Sequence, residues 1–148
     1  MPENTYNIAT RGVDGVSDGE KLSDLLNQMI DGLCGDLVFV VTPATVTSDA
    51  TAAAWTRTVT IELQNAAGDV QKWFNKAITT GVSIADTSSA GTATIPSTTL
   101  TFVEGVATVV VSGDEAAWLA EETDTLTIAQ ATILGYTVAA KTSVETFA

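Results

Sequence analysis

Residues 55–63, WTRTVTIEL, alternate with a period of two. Trp55, Val59, Ile61 and Leu63 fall on one side of an extended chain, and Thr56, Thr58, Thr60 and Glu62 fall on the other. That is the pattern of a strand with one buried and one wet face. Arg57 shares the apolar register and is expected near the sheet margin.

The same period extends on both sides of this stretch. Upstream, LVFVVTPATV (37–46) is an apolar run interrupted by Pro43, which suits an edge strand or a bulge because proline cannot donate to a ladder. Downstream, NAAGDV (65–70) reads as a turn leading into QKWFN (71–75). AITTGVSIAD (77–86) continues the sheet, and TSSAGTATIPS (87–97) is a loop with at most one short strand. TTLTFVEGVATVVVSG (98–113) reads as two strands joined tightly at Glu104-Gly105. DEAAWLAEETD (114–124) is an acidic connector with Trp118 and Leu119 as a hydrophobic plug. TLTIAQATIL (125–134) and YTVAAKTSVETF (136–147) close the chain as its last strands. Short strands at frequent turns predict an all-β fold, an antiparallel β-sandwich over residues 36–148.

The amino end breaks the period. In SDGEKLSDLLNQMIDGLCG (17–35), Ser17 and Glu20 form a capping box, and Leu22, Leu25, Leu26, Met29, Ile30 and Leu33 recur at helical spacing. Gly32 and Gly35 supply the stop, so one amphipathic helix is predicted over 17–35. Residues 1–16 carry Pro2, Asn4, Asn7, Gly12 and Gly15, with Tyr6, Ile8 and Val13 as their few apolar anchors. They read as an extended arm with too little apolar surface to fold alone.

Composition narrows the function. The chain has 148 residues, 45% of them hydrophobic, enough for one domain with a real core. Its net charge of −12 opposes binding to nucleic-acid phosphates and to anionic membranes, so neither partner is expected. The first ten residues lack the basic and apolar regions of an export signal, and a chain starting at Met1 is expected to be made in a cytoplasm. Cys34 has no second cysteine to pair with and reads as a packed thiol on the helix.

Catalysis finds little support. Histidine is absent, which removes the commonest general base and metal ligand and any Ser-His-Asp site within one chain. No phosphate loop of Walker type occurs. The carboxylates read as solvated surface. DGVSDGE (14–20) starts like a calcium loop, but Val16 occupies a ligand position and Leu25 stands where the bidentate glutamate belongs. The acidic connector, with Asp114, Glu115, Glu121, Glu122 and Asp124, is the other candidate for a cation, without tight ligand spacing. The reading is a non-enzymatic chain without metal or cofactor. Trp55, Trp73 and Phe74 suggest sugar stacking, but Trp55 opens the buried face of a strand. Trp73 and Phe74 are adjacent, so on a strand they take opposite faces and only one of them can be buried.

TVTIELQNAAGDVQKWFN (58–75) followed by TFVEGVATVVVSG (101–113) resembles the bacterial immunoglobulin-like modules of invasin- and intimin-type surface proteins, over about residues 38 to 130. The resemblance implies an Ig-like sandwich. Unlike those modules, the chain reads as a single copy without their export signal, behind an expected arm and helix. A short, acidic chain with one such sandwich behind an N-terminal arm is similar in layout to small virion proteins of tailed bacteriophages, capsid decoration proteins above all. That likeness implies a protein on the head surface that contacts the major capsid protein and neighbouring copies of itself. Tyr6, Ile8, Leu22, Leu25, Met29 and Ile30 are the expected interface contacts. A tail- or fibre-associated Ig-like module, and a bacterial adhesin or carbohydrate-binding domain, are the alternatives.

Overall fold

The computed structural model of the chain describes residues 36–148. The arm expected over 1–16 and the helix expected over 17–35 lie outside them, as do all six expected interface residues from Tyr6 to Ile30 and Cys34. The described part is all-β, with no helix among the described residues.

One four-stranded sheet takes β1 (Val38–Thr42), β3 (Trp55–Gln64), β8 (Val106–Gly113) and β6 (Ala93–Thr94) in that order, with all neighbours antiparallel. A second takes β2 (Thr45–Ser48), β12 (Lys141–Phe147), β9 (Thr123–Ile128) and β5 (Val82–Asp86). The pairing is antiparallel as expected except at one edge, where β2 runs parallel to β12. Pro43 lies between β1 and β2, each of which is an edge strand of a different sheet. The chain thus leaves one sheet and joins the other at the residue that cannot continue a ladder.

The period of two becomes burial. In β3, Arg57, Val59, Ile61 and Leu63 are buried, and across the ladder Val59 faces Val109 and Ile61 faces Ala107. The second sheet buries Leu126 and Ile128 from β9 and Phe147 from β12. Each large apolar side chain removed from water in this way contributes about 1.5–3 kcal/mol. Arg57 of the first sheet bonds to Ser143 of the second, and the Trp55 ring packs 5.4 Å from that of Phe147. The buried faces of the two sheets are therefore turned toward one another.

Two strands expected to be continuous are each divided. Residues 125–134 break between β9 and β10 (Ala131–Ile133), and residues 136–147 break between β11 (Tyr136–Val138) and β12. β10 and β11 form their own hairpin, with Leu134 and Gly135 both at positive φ in the turn. The turn at Glu104-Gly105 forms as expected, both residues having positive φ, and Val103 and Val106 exchange backbone hydrogen bonds across it. The strand before it, β7 (Leu100–Thr101), pairs instead with β4 (Ala77–Ile78) in a separate small sheet.

Gly113 marks a close approach. It pairs with Trp55, and a Cβ at Gly113 would lie 2.0 Å from the indole nitrogen. That ring packs against both Trp118 and Phe147, so it has little room to yield. Gly113→Ala is expected to cost about 1–3 kcal/mol through overpacking, read as a lower urea midpoint at unchanged m-value.

Candidate interaction surface

The two ends of the body differ in chemistry. At the end reached by Phe147 and Thr123, Trp118 is 1% exposed, with its ring 5.3 Å from Trp55 and 4.8 Å from Phe147. Its backbone exchanges two hydrogen bonds with Thr51, which ties the 114–124 connector to the segment between β2 and β3. Leu119, expected to share the plug, is 54% exposed, because the chain turns it outward one residue later. The connector's carboxylates do not gather. Asp114 accepts hydrogen bonds from the backbone N–H groups of Thr92 and Ala116. Glu122 accepts from Leu119 and Ser89, and these backbone donors hold its pKa down at about 2. Among the described residues no cluster of acids and cysteine is arranged to hold a metal ion.

Asp124 points inward rather than joining its neighbours. Arg57, expected at a sheet margin, is buried and binds it from the facing sheet. The guanidinium also donates to Ser143 Oγ at 2.5 Å and sits 2.9 Å from a Glu145 oxygen, an ion contact short of hydrogen-bond geometry. Ser48 donates to the other Glu145 oxygen, and Ser143 donates to the carbonyl of Pro43. Two carboxylates and one cation are thus enclosed between the sheets, which corrects the expectation that acids lie on solvent faces. Burial pushes Asp124 up to about 6, opposed by the charge of Arg57 and reinforced by that of Glu145. The cluster is closed off from solvent, and its chemistry is that of holding two sheets in register.

The opposite end is open. Residues 73–78 and 130–134 form the two walls of a groove of about 500 Å³. Trp73 is 42% exposed in one wall and Phe74 is buried beneath it, so one of the adjacent aromatics is outside and the other inside. A turn, not a strand, separates them in this way. The Trp73 indole N–H donates to Gln71 Oε1 at 2.9 Å, and buried Gln71 in turn donates to the carbonyl of Asp69. The ring stands edge-on to Phe74, which meets Phe102, which stacks on Phe39. An exposed indole is therefore anchored to the core through a line of aromatic contacts. The other wall belongs to the β10–β11 hairpin. At its tip Leu134 is 61% exposed and adopts φ 51°, a conformation that disfavours a bulky side chain.

Sequence reasoning picked out Trp73 but missed the hairpin wall, because Leu134-Gly135 lacks the Asn-Gly signature of such a turn. No helix among the described residues is long and apolar enough to cross a membrane. No protein-family model matches the chain, and no curated protein sequence matches it.

Proposed function

We propose that the chain is a non-enzymatic virion structural protein, a decoration protein bound to the outside of a tailed-phage head, built on an Ig-like β-sandwich. The strand order carries the fold part of this reading. Naming β1, β3, β5, β6, β8, β9 and β12 as strands A to G gives A-B-E-D in one sheet and G-F-C in the other, with β2 as the part of the first strand that crosses over. That order matches the one expected of an immunoglobulin-type sandwich and supports the reading.

The functional part is supported by the sequence ahead of residue 36. Leu22, Leu25, Met29 and Ile30 recur there at helical spacing, with Tyr6 and Ile8 before them, and would supply contacts with capsid subunits and neighbouring copies. Such contacts would stabilise a head by burying apolar surface across its seams. The net charge of −12 would keep coated particles apart.

A density gradient of a lysate from cells making the protein, with copies per particle counted by mass spectrometry, tests this. Many copies banding with DNA-filled heads is the expected result. A handful per particle would move the protein to the tail, and a free species at the top of the gradient would end the virion reading.

A further inference from the structure

The groove between residues 73–78 and 130–134 is chemically unlike the rest of this acidic molecule. In Ig-like order, its walls are the B–C and F–G connections, the loops that share one end of such a fold. No carboxylate lines it. Every lysine among the described residues is at this end: Lys72 and Lys76 in or beside one wall, Lys141 at the start of β12 just beyond the hairpin. Asp69 and Glu104 on the neighbouring turns and Asp36 beside Lys141 are also here, so the end as a whole is near neutral, and the absence of acids is confined to the groove lining. The far end carries Asp114, Glu115, Glu121 and Glu122 with no exposed cation among the described residues. Most exposed large apolar side chains among the described residues are also at the groove end, Trp73, Leu134, Val38 and Val103, while Val110 lies along β8 and Leu119 at the far end.

The geometry points to a protein-docking groove that takes a peptide segment with an aliphatic or aromatic side chain flanked by carboxylates. The apolar side chain enters between the indole of Trp73 and the Ile133–Leu134 wall. Lys72 and Lys76 meet the flanking acids, which the molecule's own acidic end would repel. The indole meets the features of a binding hot spot: a large flat anchor, half-exposed, oriented by a buried partner and backed by packed rings. Leu134 adds to this, since its exposure and left-handed backbone bring the fold no stability. The inference concerns the groove alone and does not require a phage head to present the segment.

The test is a titration of the full-length chain, followed by the indole N–H resonance of Trp73, with the probe peptide acetyl-Glu-Asp-Leu-Phe-Asp-Glu-amide. Saturable shifts are expected, with binding at least about tenfold tighter than that of the same Leu-Phe core flanked by lysines. Trp73→Ala and the double variant Lys72→Glu/Lys76→Glu should each weaken binding about tenfold at an unchanged unfolding midpoint. If Trp73→Ala lowers the midpoint, Leu134→Asp makes the same test from the other wall. Equal binding of acidic and basic peptides, or full binding by the variants, would overturn the inference. So would shifts produced instead by methyl β-D-glucopyranoside, which would make the groove a sugar site. Shifts that appear on concentrating the chain alone would assign the groove to a second copy.

Discussion

Arg57→Met is expected to lower stability by about 3–5 kcal/mol at neutral pH, the usual cost of removing one partner of a buried ion pair. The loss comes less from missing attraction than from what is left behind. Asp124, fully buried, and Glu145, 4% exposed, would face each other between the sheets without a cation. The pH dependence separates this cause from simple loss of packing. Asp124 titrates at about 6 in the folded chain against 3.8 for a free side chain, so between those values the native state holds the extra proton. Its contribution is therefore most favourable below about 4 and declines as pH rises through 6. Removing Arg57 takes away the influence that lowers this pKa and moves the window upward. The defect of Arg57→Met should thus be smaller at pH 5 than at pH 8 in urea unfolding, and Asp124→Asn should flatten the wild-type dependence between pH 4 and 6. A defect equal at both pH values would mean that Arg57 acts through its packed stem alone.

Trp118→Ala is the second large effect, expected at about 3–5 kcal/mol for a fully buried tryptophan. Its ring packs against both Trp55 and Phe147 and lies against Gly91, where a Cβ would come within 2.5 Å of it. No neighbouring side chain can move in without abandoning contacts of its own. Leu119→Ala, one residue on, should change stability by less than about 0.5 kcal/mol, as expected for an exposed side chain. The pair of variants, compared by urea midpoint, separates plug from surface within two adjacent apolar residues. Comparable losses would contradict the outward turn of Leu119.

Much of the sheet architecture was legible because burial here follows strict alternation. The 55–63 stretch fixes β3, and the Glu104-Gly105 turn follows from backbone geometry, whereas Trp73 and Phe74 are split as expected but by a turn rather than by strand alternation. The buried ion cluster escaped because single charged residues within apolar strands look like marginal positions. Its signal was nevertheless present. Arg57 shares the register of Val59 and Ile61, Asp124 that of Leu126 and Ile128, and Glu145 that of Ser143 and Phe147. Opposite charges in three buried registers can be satisfied together only by meeting. Strand pairing was less legible than strand existence. Nothing in LTFVEGV announces that Leu100 and Thr101 pair with Ala77 and Ile78 rather than across their own turn. That choice depends on partners distant in sequence. Half of the groove was invisible for the same reason, since its walls come from connections more than fifty residues apart.

The proposed attachment to a phage head through residues 1–35 can be checked by co-sedimenting the purified full-length chain, and separately residues 36–148, with phage heads stripped of the protein. Saturable binding of the full-length chain is expected. Residues 36–148 should bind at least about tenfold more weakly. Full-length chain that stays in the supernatant at every concentration, or a body that binds as tightly without residues 1–35, would contradict it.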